Sequence, residues 1–155
     1  MDVVTSCEIA RSPDVVAAFA ADPDHVPRWY RNIRSVEWKS PRPMQVGSRI
    51  AFVAHFLGRR LAYTYEIVEM DLSRRFVMRT TEGPFPMETT YTWAQMPDGG
   101  TRMTLRNRGT PTGFSRWMSP FMAMAVRRAN RQDLALLKTI LERGPDTASA
   151  SPVMG

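Results

Sequence analysis

Six short segments between residues 33 and 108 alternate apolar and polar residues, and this alternation restricts the fold more than any other feature. A period of two is typical of strands with one buried face, whereas a helix repeats its apolar residues every three or four positions. The predicted strands are Ile33 to Lys39, Ser48 to Phe56, Arg60 to Glu69, Phe76 to Thr81, Glu88 to Gln95 and Arg102 to Arg108. The middle of the chain must therefore form a sheet that rests one face on a core.

The linkers between these segments are short and contain Pro, Gly, Asp or Ser. They read SPRPMQVG, LG, MDLSRR, EGPFPM and MPDGG, and residues of these types favour turns. Parallel neighbours need a crossover of about a dozen residues or more. The sequence therefore predicts an antiparallel meander.

The N-terminal region predicts one strand followed by two short helices. Val3 to Ala10 alternates like a half-buried strand. Ser12 is a natural N-cap for a helix from Pro13 to Ala21, and Asp22 and Pro23 end it and open a second helix that ends near Tyr30.

The C-terminal region returns to a helical period from Phe114 to Glu142. One face gathers Met118, Met122, Ala125, Val126, Ala129, Leu136, Leu137 and Ile140. Pro120 should kink this helix or split off its first turn, with Ser119 as the new N-cap. Asp133 falls on the same face, which is either a register error or a buried polar group that needs a partner. We expect one domain over 1–143 and a disordered tail over 144–155, which has no periodicity.

Composition excludes several classes of protein. The longest apolar run is too short for a spanning helix and no basic, then apolar, leader is present, so we expect a cytoplasmic protein. Cys7 has no second cysteine to pair with, and a buried apolar role is favoured. His25 and His55 lack partners at metal-ligand spacing, so no metal and no cofactor is expected. The 21 basic residues outnumber 15 acidic ones, but they are dispersed and no DNA-binding motif accompanies them, so no DNA partner is expected.

Several stretches together resemble the START-like (SRPBCC) superfamily, in its polyketide cyclase/dehydrase and lipid-transport branch. They are SPDVVAAFAADPDHVPRWY, VGSRI, LGRRLAYTYEIVEMD, SRRFVMRTTEGPFPMETTYTW, GGTRMTL and LALLKTILE. The resemblance runs from Val3 to Glu142 and implies an α+β helix-grip fold, in which a curled antiparallel sheet surrounds a long C-terminal helix. It also implies an apolar cavity between the sheet and the helix, gated by loops and by the two short helices.

Strand alternation predicts which side chains face such a cavity. Tyr63, Tyr65 and Ile67 share one face of their strand with Leu61, as Tyr91 and Trp93 do on another strand. The ligand-binding candidates are Phe52, Ala54, Tyr63, Tyr65, Ile67, Met78, Tyr91, Trp93, Met103, Leu105, Asn107, Phe121, Met122 and Ala125. Phe85, between two prolines, is the candidate gate at the cavity mouth.

Three functions remain open at this stage. The first is binding of a small hydrophobic or lipid-like ligand, and it is favoured because the sequence contains no nucleophile elbow, phosphate loop or dinucleotide motif. The second is an aromatase/cyclase or dehydratase that acts on a polyketide, for which Tyr63, Tyr65, Tyr91, Asn107 and Asp133 are the inward polar candidates. The third is an arginine-rich surface that binds RNA or an anionic membrane.

Overall fold

The computed structural model describes residues 1–109, the backbone of 119–153 and the side chains of 120–143. Its sheet has seven antiparallel strands in the order β1-β7-β6-β5-β4-β3-β2. The strands are β1 (Asp2–Ile9), β2 (Ile33–Trp38), β3 (Arg49–Phe56), β4 (Arg59–Asp71), β5 (Arg75–Glu82), β6 (Met87–Gln95) and β7 (Thr101–Gly109). The predicted meander is confirmed, and β1 joins it by pairing with β7.

Register shifts in two strand pairs help the sheet to curl, one of them between Ile33 and Ser35 where β2 pairs with β3. Along β4 and β5 the register shifts twice, between Thr64 and Tyr65 and again between Ile67 and Glu69. Each shift bends the bulged strand and increases its twist. The sheet therefore has a concave face large enough to hold a helix.

The helices begin where the proline signals predict. Helix α1 (Pro13–Ala20) starts with Pro13 in its first turn, and Ser12 stands at the N-cap position but makes no capping hydrogen bond with its side chain. A 3-10 turn (Pro23–His25) leads into the four-residue helix α2 (Val26–Trp29). Helix α3 (Ser119–Val153) begins one residue before Pro120, where proline is tolerated because its missing N–H has no partner in a first turn.

The core lies between the concave face of the sheet and the helices. α3 packs against β1, and its Leu134, Leu137 and Leu141 are fully buried in one cluster with residues of α1 and the sheet. Trp29, at the end of α2, is also fully buried in this cluster. The α+β helix-grip fold is confirmed, with a long C-terminal helix and short helices after the first strand.

Two predictions concern parts of the chain that are not described in full. The first turns of the expected helix, with Trp117 and Met118, lie outside the described residues. The backbone of α3 continues as a helix to Val153, through most of the segment expected to be disordered, while the side chains of 144–153 are not described. A domain that ends at residue 143 stays a prediction.

Candidate functional site

A hollow of about 470 Å³ lies between the concave face of the sheet and the N-terminal half of α3. Strands β3 to β7 supply one side of it, and α3 supplies Phe121, Met122, Val126, Ala129, Asn130 and Asp133. This volume falls in the range of ordinary small-molecule sites. The end of α2 and the turn after β5 complete the boundary, through Tyr30 and Phe85.

Aromatic rings form one wall of the hollow. Tyr63 lies between Tyr65, with ring centroids 6.0 Å apart, and Phe85, at 6.1 Å in an edge-to-face arrangement. Phe52 packs edge to face on Tyr65 at 5.8 Å. The alternation of β3 and β4 places Phe52, Tyr63 and Tyr65 on the inner face, and aromatic pairs in such geometries stabilise one another.

The position of Phe85 depends on the glycine two residues before it. A Cβ atom on Gly83 would lie 2.6 Å from Cδ1 of Tyr63, so only glycine lets the turn approach that ring. Phe85 is buried at 8% exposure and contacts Tyr63. The structure thus puts Phe85 at the border of the hollow, while its action as a gate stays a prediction.

A pair of tyrosine hydroxyls forms a polar end of the hollow. The Oη atoms of Tyr30 and Tyr91 are 2.8 Å apart. Burial raises the pKa of both groups, and the charge of Asp133 raises each pKa further. Both tyrosines are therefore protonated near neutral pH, and one of their two hydrogens remains available to another acceptor.

Among the described residues that border the hollow, Asp133 is the one that carries a carboxyl group. It is 3% exposed, and its Oδ1 accepts a hydrogen bond from the backbone N–H of Arg31 at 3.1 Å. Burial raises its pKa from 3.8 to about 6, while the hydrogen bond and the charge of Arg31 act in the opposite direction. Of the two alternatives for Asp133, the second is therefore correct: it is a buried polar group, and the N–H of Arg31 is its partner.

Asn130 lies one helical turn before Asp133 on the same face of α3. It is 5% exposed, and its Nδ2 has no hydrogen-bond partner among the described residues. A buried donor without a partner is unusual in folded proteins. Asn130 thus borders the hollow, but its unpartnered Nδ2 is itself fully buried.

A second polar patch lies on the sheet. Thr89 Oγ1 donates to Asn107 Oδ1 at 2.9 Å, across β6 and β7. Both residues border the hollow. This contact occupies the hydroxyl hydrogen of Thr89 and the amide oxygen of Asn107.

Most of the predicted ligand-binding residues do border the hollow. They are Phe52, Ala54, Tyr63, Tyr65, Met78, Tyr91, Asn107, Phe121 and Met122, together with the gate candidate Phe85. Phe121 differs from the others because it is 56% exposed, so it lies at the rim. Leu61, predicted to share their face, borders the hollow as well.

Five predicted residues do not border the hollow. Ile67, Trp93, Met103 and Leu105 face inward as expected, but they belong to the packed core that includes the leucines of α3. The inner face of the sheet is longer than the hollow, so alternation alone does not separate its packed end from its open end. Ala125 is only half-buried and lies beside the face of α3 that carries Met122 and Ala129.

Sequence reasoning named Tyr91 and Asp133 but missed two other polar residues at the hollow, Tyr30 and Asn130. Asn130 shares a helical face with Val126, Ala129 and Asp133, so the same count of 100 degrees per residue could have found it. Tyr30 has no comparable signal, because it follows a four-residue helix whose orientation depends on tertiary packing.

The described residues contain neither a candidate metal cluster nor a helix that could span a membrane. No group of three or more His, Cys, Asp or Glu side chains is arranged to hold a metal ion in that part of the chain. Among the same residues, no helix combines the length and apolarity needed to cross a membrane.

The fold agrees with the comparisons to known proteins. The sequence matches the polyketide cyclase / dehydrase and lipid transport family over residues 1–142, and the chain belongs to this family. No curated protein matches it.

Solved structures show the same fold at low sequence identity. A protein from Thermus thermophilus has a TM-score of 0.79 and 20% identity, covering 91% of this chain and 97% of its own. A START superfamily protein from Mycobacterium smegmatis has a TM-score of 0.76 and 12% identity, covering 92% and 97%. An aromatase/cyclase from a Streptomyces species has a TM-score of 0.76 and 17% identity, covering 92% and 94%.

Proposed function

We propose that this protein binds a small hydrophobic or lipid-like molecule in the hollow between the sheet and α3. The observation that carries the proposal is the hollow itself, about 470 Å³ and bordered by Phe52, Tyr63, Tyr65 and Phe85. Burial of apolar ligand surface against such rings contributes about 25 cal/mol per Å² before the costs of association. The family, whose description includes lipid transport, supports the same function.

Native mass spectrometry of the purified protein, followed by denaturing extraction, tests this proposal. We expect an apolar compound that co-purifies with the folded protein and is released by denaturation. A variant in which Ala129, at the hollow, becomes phenylalanine should carry less of it. Ala135→Phe, on an exposed position of the same helix, is the matched control and should carry as much as the native chain.

A second candidate is an aromatase/cyclase or dehydratase that uses the same hollow, and Asp133 is the observation that favours it. Its raised pKa of about 6 lets the carboxyl group exchange a proton near neutral pH, which suits a general acid or base. Incubation with a poly-β-ketone thioester tests this function. If the native protein converts this substrate, and Asp133→Asn binds it without converting it, the protein is an enzyme. If the native protein leaves the substrate unchanged, the result supports binding as the function.

A further inference from the structure

The side of the hollow formed by β4 becomes more exposed toward the hairpin between β3 and β4. On the inner face of β4 the side chains change from buried through half-buried to exposed in the order Tyr65, Tyr63, Leu61 and Arg59. Leu57, at the tip of this hairpin, is 49% exposed and also borders the hollow. The hairpin therefore lies at an open end of the hollow.

Arg59 is the one basic side chain among the described residues that border the hollow. The period of β4 puts it on the same face as Leu61 and Tyr63, whereas Arg60 falls on the other face and does not border the hollow. A guanidinium has five N–H donors, so Arg59 can bind the oxygens of a ligand in addition to any partner within the protein. The open end therefore combines a positive charge with contact to solvent.

The two ionisable side chains of opposite sign at the hollow lie in different environments. Arg59 is exposed, whereas Asp133 is only 3% exposed. An anionic group of a ligand is stabilised beside a guanidinium and disfavoured beside a second carboxylate. It also keeps more of its hydration at an exposed position than at a buried one. Charge and desolvation together therefore direct an anionic group to the hairpin end.

The apolar part of such a ligand has an aromatic wall to contact. Positions 59 and 63 are four residues apart on β4, which corresponds to about 13 Å along a strand. Tyr63 is paired with Phe52 across β3 and β4, and Phe52 packs edge to face on Tyr65 at 5.8 Å. A head group beside Arg59 on a short chain would therefore place a ring or an alkyl tail against these side chains.

Resting on the proposed function, we propose that the ligand is an amphipathic carboxylate, with its anionic head beside Arg59 and its apolar body inside the hollow. The planar fork of a guanidinium matches the two oxygens of a carboxylate through two parallel N–H···O bonds. A phosphate monoester carries about 1.5 to 2 negative charges near neutral pH, more than one arginine balances. A neutral lipid gains no ion pair at Arg59.

Isothermal titration calorimetry with three naphthalene compounds tests this inference. Naphthylbutanoate has the carboxylate, naphthylbutanamide has the same shape without the charge, and acetylnaphthalene has neither the chain nor the charge. We expect the native protein to bind the butanoate roughly fivefold more tightly than the butanamide at low salt. This preference should shrink between roughly 0.05 and 0.5 M NaCl, because the head group lies at an exposed position.

Two neighbouring arginines provide a matched pair of variants. Arg59→Gln removes the charge at the hollow and should bring the butanoate and the butanamide to within about twofold of each other. Arg60→Gln removes one charge from the other face of the same strand and should keep the native preference. Circular dichroism checks that each variant is folded.

The outcomes separate this inference from the function on which it rests. Equal affinities of the native protein for the butanoate and the butanamide would overturn the inference, as would a preference that survives in Arg59→Gln. A loss of the same size in Arg60→Gln would assign the preference to the net positive charge of the whole protein and overturn it as well. If acetylnaphthalene binds in these cases, the proposed function stands without the carboxylate. If none of the three compounds binds the folded native protein, the proposed function fails and the inference fails with it.

Discussion

Asn130 is a buried amide whose donor atom has no partner among the described residues. Such a group costs about 1–3 kcal/mol relative to a satisfied one. We therefore expect Asn130→Leu to raise the free energy of unfolding of the ligand-free protein by about 1 kcal/mol. Urea unfolding monitored by circular dichroism measures this difference. A variant that unfolds more easily than the native chain would mean that the amide stabilises the fold.

Asp133 should make the stability of the protein depend on pH. Its pKa is about 6 in the folded chain and 3.8 ordinarily, so between these values the folded state binds more protons than the unfolded state. The contribution of Asp133 to the free energy of unfolding is therefore fully present below about pH 4. It is lost as the pH rises to about 6 and stays lost above that pH.

The matching prediction uses Asp133→Asn, whose amide oxygen can still accept from the N–H of Arg31. This variant should be more stable than the native chain at pH 7.5 by about 1–3 kcal/mol, and the gain should shrink as the pH falls toward 4. Thermal unfolding of both proteins across this range checks it. A gain that grows at low pH would contradict a raised pKa for Asp133.

At the scale of elements, local sequence predicted most of the structure because strand alternation and turn chemistry are local signals. The inward sets Tyr63, Tyr65 and Ile67 on β4 and Met103, Leu105 and Asn107 on β7 are buried as expected. The register shifts between β4 and β5 were not predicted, since a bulge changes the pairing of two strands and leaves little trace in either sequence.

The same limit applies to the candidate site. Whether Ile67 meets packed leucines or open space depends on where α3 crosses the sheet, and the alternation of a strand does not contain that information. Cross-strand ion pairs likewise depend on which strands are neighbours. Arg79 bonds Glu88 at 2.7 Å across β5 and β6, whereas Arg106 pairs with Asp2 of β1, a strand that the meander prediction did not place beside β7.

We expect the turn between β5 and β6, which carries Phe85, to control access to the hollow. Phe85→Ala removes the ring that packs on Tyr63, so we expect acetylnaphthalene to enter and leave the hollow several times faster, with a smaller change in Kd. Stopped-flow fluorescence measures both rate constants. Val46→Ala is the control, since it shortens an exposed side chain outside the hollow. Unchanged rate constants in a folded Phe85→Ala protein would contradict the prediction that Phe85 acts as a gate.

Over the whole molecule, the excess of basic residues is spread across the surface and paired in many places with carboxylates. Arg49 contacts Glu66, Arg102 contacts Glu8 and Arg75 contacts Glu69 on the exposed side of the sheet, each at 3.0–3.4 Å. Pairs of this kind contribute little to stability, but they reduce the field that a polyanion would meet. This favours an internal apolar site over binding of RNA or an anionic membrane.

Salt dependence separates these functions. We expect the Kd for acetylnaphthalene to change less than about twofold between roughly 0.05 and 0.5 M NaCl, because apolar burial is not screened. Binding to RNA or to anionic vesicles, in contrast, would weaken steeply over the same range as counterions compete. Tight vesicle or RNA binding at about 0.15 M salt would favour the surface function instead.

The central claim is that ligands bind inside the hollow, and calorimetric titration of three proteins with acetylnaphthalene tests it most directly. The native chain should bind one molecule, and Ala135→Phe should match it because that position is exposed. Ala129→Phe places a ring in the hollow and should weaken binding at least tenfold while the protein stays folded by circular dichroism. Native affinity in a folded Ala129→Phe protein would contradict the claim.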